Sequence, residues 1–221
     1  MTTTTITTAP PASAPSLPPS TKLYFAYGSN LSLHQMSQRC PTSSYYALGT
    51  LHRYRWIIGE RGYANVVSCS PSSSASLLRV TNRGTEDSGT GNEDGTMEED
   101  GCGNEEKVIG MLYLLSEEDE EYLDTAEGVP YAYTKHMLPI SLSSPSPETQ
   151  TVQALVYVDE KRLGHGICKE EYVARMNRGI KDAVEKGMSE VYVREVLRKW
   201  VREEEVPGVV VDPYWPYEGE K

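Results

Sequence analysis

Two short stretches hold residues whose type and setting could do chemistry. In "SEEDEEYLDTAEGVPYAY", residues 116–133, the spacing predicts a helix. Ser116 is its N-cap, and Asp119 three residues on comes close to a capping box. Tyr122, Leu123 and Ala126 are expected on the inward stripe. Glu117, Glu118, Glu120 and Glu121 read as acids that suit the positive end of the helix dipole. Glu127 is different. It follows Leu123 by four residues, so it projects from the same face, and Gly128 supplies the left-handed residue that ends the helix. A carboxylate at a helix C-terminus is disfavoured, and leaning toward the core disfavours its charge further. Both effects raise its pKa toward the range useful to a general acid/base.

The second stretch is "LYFAYGSNL", residues 23–31. An apolar strand pattern stops at Gly28-Ser29-Asn30, and a helical pattern starts at once. Successive backbone N–H groups with little side chain over them can hold a carboxylate or a developing oxyanion. The same three residues also make an ordinary tight turn, and pattern alone does not separate the two. Other chemistries find less support. Ser29 is not in a G-x-S-x-G elbow, because Tyr27 stands where the first glycine should be. The turn is too short for a nucleotide-binding glycine fingerprint.

The elements that must position these residues follow from periodicity. Strands are predicted at 22–27, 48–58, 64–68, 75–80, 108–115, 133–142 and 152–159, where Val, Ile, Leu and Tyr run between Gly, Pro or Ser clusters. Helices are predicted at 32–39, 117–126, 169–186 and 190–203. The third carries Tyr172, Val173, Met176, Ile180, Ala183 and Val184 at helical spacing, with Gly187 as its C-terminal stop. Strands come mostly first and long helices last. That order argues an α+β fold, a curved or barrel-like sheet with helices outside.

Composition limits the partners. The chain of 221 residues carries a net charge of −11, but residues 82–106 alone hold nine acidic residues against one arginine. The acidity is thus mostly a Gly-rich insert, read as a solvated loop joining two strands. The remainder has no basic excess, so nucleic acid is not an expected partner. Residues 1–21, almost wholly Thr, Pro, Ala and Ser, read as a disordered tail rather than a transit or secretory leader. The domain is then 22–204, and 205–221 a C-terminal tail. No run of about 18 apolar residues predicts a membrane span. Cys40, Cys69, Cys102 and Cys168 form no C-x-x-C pair and share no ligand spacing with the histidines. Neither a metal site nor a disulfide framework is expected, and a reducing cytoplasm suits the usage.

The ordered set of motifs resembles the γ-glutamylcyclotransferase family. "YFAYGSNL" is followed about a hundred residues later by "LDTAEGVPYAY". The similarity extends to "RGYANVV", "VIGMLYLL" and "YVARMNRGI", and covers roughly residues 22–201. The resemblance implies a small mixed β-barrel flanked by helices, and an enzyme without metal or cofactor. Such an enzyme converts a γ-glutamyl amino acid or peptide to 5-oxoproline and releases the free amine. It implies Glu127 as acid/base and Tyr27, Gly28, Ser29, Asn30 and Leu31 as the substrate loop. It further implies Tyr133, Tyr157 and Tyr172 as pocket tyrosines, with Tyr131 the alternative to Tyr133. The loop resembles the branch acting on γ-glutamyl amino acids more than the branches acting on glutathione or γ-glutamyl-lysine. A γ-glutamyl conjugate of secondary metabolism and a non-catalytic binding module are the other readings. A homodimer is compatible with the resemblance.

Overall fold

The computed structural model describes residues 21–69, 106–143 and 150–205. The predicted tails apart from Thr21, which opens the first strand, and Glu205, the strand at 75–80 and nearly all of the acidic insert lie outside these residues. The described residues form seven strands: β1 (Thr21–Ala26), β2 (Ser44–His52), β3 (Tyr54–Ile58), β4 (Ala64–Ser68), β5 (Lys107–Ser116), β6 (Thr134–Leu142) and β7 (Thr151–Val158). The helices are α1 (Leu33–Arg39), α2 (Glu117–Glu127), α3 (Glu170–Glu185) and α4 (Glu190–Glu195). Short 3₁₀ turns at Ser29–Leu31 and Leu197–Lys199 complete the set.

Five strands close into a mixed barrel in the order β1-β5-β2-β6-β7, while β3 and β4 form a separate two-stranded sheet. All neighbours in the barrel are antiparallel except β1 and β7, which run parallel with Tyr24 opposite Leu155. The barrel closes tightly because Gly49 of β2 sits opposite Gly110 of β5. A β-carbon at Gly49 would meet Ile140 at 2.5 Å, and one at Gly110 would meet the backbone oxygen of Ala26 at 2.4 Å. The two glycines leave room for β6 and β1 to approach. Phe25, Val108, Met111, Leu112, Ile140, Ala154 and Val156 fill the core with no exposed surface. Pro139 lies in β6 where β2 no longer pairs, so its missing N–H interrupts no bond to that neighbour.

The predicted strand at 48–58 is two strands. The chain breaks at Arg53, which adopts a left-handed φ of 66°. No Gly, Asn or Asp in "LHRYRW" marks that turn, so the sequence carries no signal for the break. Arg53 also ties the start and return of the long excursion between β4 and β5. Cys69 N–H donates to its carbonyl, and its own N–H donates to the carbonyl of Glu106, each at 2.8 Å. Strands β4 and β5 belong to different sheets. The predicted helix at 190–203 stops at Glu195 and continues only as a 3₁₀ turn. Gly187, with φ of 100°, follows α3 as expected. Cys40 and Cys168 are free and buried, whereas Cys69 is disulfide-bonded, which the cysteine spacing did not suggest. Among the described residues no helix is long and apolar enough to cross a membrane.

Candidate active site

Helix α3 builds the site by lying along the turn that follows β1. One stripe of α3 does this: Tyr172, Arg175, Gly179 and Asp182 fall at helical spacing on one face. Tyr172 Oη accepts the N–H of Ser29 at 3.1 Å. Arg175 Nη1 donates to Ser29 Oγ at 3.2 Å. Gly179 has no side chain because a β-carbon there would meet Leu31 Cβ at 2.9 Å. Asp182 Oδ2 accepts the N–H of Leu33 at 2.8 Å, satisfying an orphan donor at the start of α1. Gly28 is small for the same reason as Gly179. A β-carbon on it would stand 2.7 Å from Tyr172 Oη and 3.2 Å from Ala64 Cβ. The small residues of the turn thus admit α3 to the backbone of residues 28–31.

The second wall is the C-terminus of α2. Gly128 is left-handed, with φ 66° and ψ 40°. Its N–H donates to Thr125 O, and the N–H of Val129 donates to Asp124 O. These two bonds make a Schellman cap with Glu127 as the C-cap residue. The chain then turns through a cis Val129–Pro130 bond, and the N–H groups of Tyr131 and Ala132 both return to Gly128 O. Glu127 therefore leaves the helix at a fixed point. Asn30 Nδ2 donates to its Oε1 at 3.0 Å and to Tyr24 Oη at 2.9 Å. The other end of the Asn30 amide is also used: Oδ1 accepts from Gln35 Nε2 at 2.7 Å and from Arg39 Nη1 at 3.3 Å. Every polar atom of the Asn30 side chain is committed to aiming Glu127.

Glu127 lines a pocket of about 310 Å³ together with Arg39, Arg61 and Arg175. Its side chain keeps 17% exposure, and Arg39 Nη1 lies 3.8 Å from Oε1. Burial raises its pKa above the ordinary carboxylate value; Arg39, Arg175, the Asn30 bond and Arg61 oppose that shift without cancelling it. Among the described residues no three His, Cys, Asp or Glu side chains converge as metal ligands.

Of the residues singled out in the sequence, Tyr27, Gly28, Ser29, Asn30, Glu127, Tyr133, Tyr157 and Tyr172 line this pocket. Leu31 does not. It is fully buried beneath the turn. Burial of such a side chain is worth ~1.5–3 kcal/mol, so Leu31 anchors the turn rather than facing a ligand. Tyr131 is 80% exposed, while Tyr133 is buried and donates to Ala64 O at 2.8 Å. Tyr27 gives its hydroxyl proton to Tyr157 O, and Tyr157 gives its own to Asp124 Oδ1 at 2.7 Å. Tyr172 stands apart: its oxygen accepts from Ser29, and among the described residues no protein group takes its proton. The N–H groups of Gly28 and Asn30 likewise make no bond to another protein group there.

No family model and no curated protein sequence matches the chain. Solved structures do. An uncharacterized human protein, loc79017, superposes with a TM-score of 0.58 at 18% identity, over 87% of this chain and 95% of that one. A γ-glutamyl cyclotransferase superposes with a TM-score of 0.58 at 17% identity, over 87% and 94%. The fold is that of a γ-glutamyl cyclotransferase. YkqA from Bacillus subtilis shares it with a TM-score of 0.53 at 14% identity, over 81% of this chain and 54% of that longer one. At these identities the likeness carries the γ-glutamyl cyclotransferase architecture and assigns no residue a role.

The arginines of the pocket went unnoticed in the sequence. Arg175 sits inside the apolar stripe of α3, between Tyr172 and Gly179, and a buried-face position was its only signal. Arg39 closes α1, where a basic residue normally complements the helix dipole in solvent. Arg61 stands in "RGYANVV" beside Gly62, whose φ of 82° forms the turn before β4.

Proposed function

We propose that the chain is a γ-glutamyl cyclotransferase acting on small γ-glutamyl compounds, with Glu127 as general acid/base. The observation that carries this reading is the aim of Glu127: a carboxylate with a raised pKa, fixed by Asn30 against a turn with unspent backbone donors. A γ-glutamyl substrate brings an α-ammonium, an α-carboxylate and an amide. The carboxylate of Glu127 takes a proton from the ammonium. The freed amine attacks the γ-carbonyl carbon, forming the ring C–N bond. As the original amide C–N bond breaks, Glu127 returns the proton to the departing nitrogen, and the second proton shed by the attacking nitrogen on forming the ring amide leaves with the same amine, as its ammonium. No water is consumed, and the products are 5-oxoproline and a free amine.

Ring closure is intramolecular, so holding the chain folded supplies much of the rate. The N–H groups of Gly28 and Asn30 are donors for the α-carboxylate or the developing oxyanion, and the Tyr172 hydroxyl proton is a third. A pocket of about 310 Å³ lies at the small end of ligand sites and suits a dipeptide-sized molecule. Incubating the protein with γ-glutamyl-alanine and with glutathione, and quantifying 5-oxoproline, tests the proposal. Product from γ-glutamyl-alanine is expected. No 5-oxoproline from any γ-glutamyl compound overturns it.

A further inference from the structure

Gln35 departs from the role that its place in α1 suggests. Ser32-Leu33-His34-Gln35 has the spacing of a capping box, in which the fourth residue reaches back to the N–H of the first. Half of the box is present: Ser32 Oγ accepts the N–H of Gln35 at 3.3 Å. The other half is replaced, because the N–H of Ser32 donates to Ser29 O. The buried Gln35 side chain goes instead to the turn before α1. A carboxamide has two N–H donors, and those of Gln35 go to Ser29 Oγ at 2.9 Å and to Asn30 Oδ1 at 2.7 Å. Gln35 lies outside the residues that line the pocket, so its influence on a ligand passes through the residues it holds.

A carboxamide has nearly the same shape at both ends, and its partners decide which end donates. Two arginines, which can only donate, decide it here. Arg175 is held by Glu171 at 3.1 Å and brings Nη1 to within 3.5 Å of Gln35, so the near atom of that amide is its oxygen. Arg39 Nη1 meets Asn30 at 3.3 Å, so the near atom of Asn30 is oxygen as well. The Asn30 nitrogen then faces Glu127 and Tyr24. Arg175, Gln35 and Asn30 thus donate in one direction, toward the carboxylate. Turning over either amide would set N–H against N–H at one end and oxygen against oxygen at the other. For Asn30 the second clash falls on Glu127. Of the two donors to Asn30 Oδ1, Gln35 makes the shorter bond.

We propose that Gln35 is a positioning residue for Glu127: by fixing which end of Asn30 faces the carboxylate, it keeps a hydrogen-bond donor on Glu127 from outside the pocket. This inference rests on the cyclotransferase reading for its effect on turnover, while the series of bonds stands without it. The charged groups that face Glu127 are Arg39 on α1, Arg175 on α3 and Arg61 before β4. The other titratable groups near it are Cys40, pushed up to about 12 by burial, and Tyr24, Tyr27, Tyr133, Tyr157 and Tyr172, all raised by burial. All of these keep their charge states while Glu127 titrates, so its midpoint reports on the Asn30 bond.

Carbon-13 NMR of the glutamate carboxyls, with Glu127 assigned through Glu127→Gln, follows that titration in the full chain without substrate. Gln35→Met should move the midpoint upward, because an Asn30 amide free to turn over no longer keeps a donor on the carboxylate. In an Asn30→Ala background the same substitution should move it no further. An unmoved midpoint in Gln35→Met, or an equal rise in both backgrounds, overturns the inference, since Gln35 would then only pack α1 on the turn or act on Glu127 by another route. Where Gln35→Met does not fold, Gln35→Asn, whose amide is one methylene too short to span Ser29 and Asn30, carries the same comparison. With γ-glutamyl-alanine, kcat/KM of Gln35→Met should drop about fivefold below the midpoint, the scale of one neutral hydrogen bond, and the loss should narrow as pH rises. Neutron diffraction from the wild-type protein should place the amide deuterons of Asn30 on the atom facing Glu127, and the opposite assignment overturns the inference without any variant. Absence of 5-oxoproline from the wild type would overturn the cyclotransferase reading alone, because the titration and the diffraction need no turnover and still decide the role of Gln35.

Discussion

On helix α2, Glu120 and Glu127 lie seven residues apart, the first buried and the second largely so, and their pKa values shift in opposite directions. Their side chains are 10% and 17% exposed, so burial opposes the charge on both. At Glu120, burial is outweighed by direct bonds from Lys22 Nζ at 2.7 Å and Lys135 Nζ at 2.9 Å, and the pKa falls. At Glu127, burial prevails over Arg39, Arg175, the Asn30 bond and Arg61, and the pKa rises. The difference lies in contact. Glu120 touches two ammonium groups, while the nearest guanidinium to Glu127 is 3.8 Å away and is itself bonded to Asn30. Opposite charge at contact distance favours the ionised form, and a neutral amide donor does so less. One end of α2 is fastened to the barrel, and the other holds a carboxylate ready to exchange a proton.

Glu127→Gln is the strongest way to break this comparison. The amide keeps the shape but cannot take the ammonium proton, so 5-oxoproline formation should drop by at least ~10²-fold. KM should change little, because the turn and tyrosines stay in place. The stability sign follows from the raised pKa. A carboxyl that binds its proton more tightly when folded loses stability as pH climbs from the ordinary value of 4.5 through the raised one. The variant lacks that loss, so its Tm at neutral pH should match or exceed the wild type's, and the gap should vanish at more acid pH. In the wild type, the acid limb of kcat/KM should lie above 4.5 for the same reason. Full activity in the variant would move the proton-handling role off Glu127.

The sequence made one end of α2 legible and hid the other. Glu127 stood out because a carboxylate four residues after Leu123 and just before Gly128 has no comfortable place in solvent. Glu120 did not, because an acid in the first turn of a helix looks solvated. The buried face of α2 consists of Asp119, Glu120 and Leu123, and only the last is apolar. Tyr122, expected inward, is 52% exposed. Hydrophobic periodicity cannot see a buried face made mainly of carboxylates, Glu120 paired with two lysines and Asp119 hydrogen-bonded by Thr42. The barrel strands were largely readable, because burial there follows side-chain type. The arginines of the pocket were not, since their burial depends on how closely α3 approaches the 28–31 turn. Gly28 and Gly179 permit that approach, and a glycine announces room without naming what fills it.

Tyr172→Phe sharpens the comparison at an intermediate scale. It removes one hydroxyl that accepts from Ser29 and has a proton to offer the pocket. A loss of about 1–2 kcal/mol is expected, roughly 5–30-fold in kcat/KM. Tyr157→Phe is its counterpart on the fastened side, since that hydroxyl goes to Asp124 beside Lys135. It should affect turnover less than Tyr172→Phe does. Steady-state kinetics on γ-glutamyl-alanine separate the two. Silence of Tyr172→Phe would leave that ring a packing role only.

Glu120→Gln carries the smallest expected effect and tests the other half of the contrast. Lys22 and Lys135 are 47% and 34% exposed, so water screens the pairs and their loss should cost about 1 kcal/mol near neutral pH. The sign of the pH dependence is opposite to that at Glu127. A carboxyl whose folded pKa is lowered contributes stability that is present above its unfolded pKa and disappears as pH falls through the folded one. Thermal melts of wild type and variant should therefore differ at neutral pH and converge in acid. Turnover should remain close to wild type, because Glu120 lies outside the residues that line the pocket. If Glu120→Gln instead cut 5-oxoproline formation as deeply as Glu127→Gln does, the two carboxylates would be parts of one electrostatic unit. The division of α2 into a fastened end and a reactive end would then be wrong.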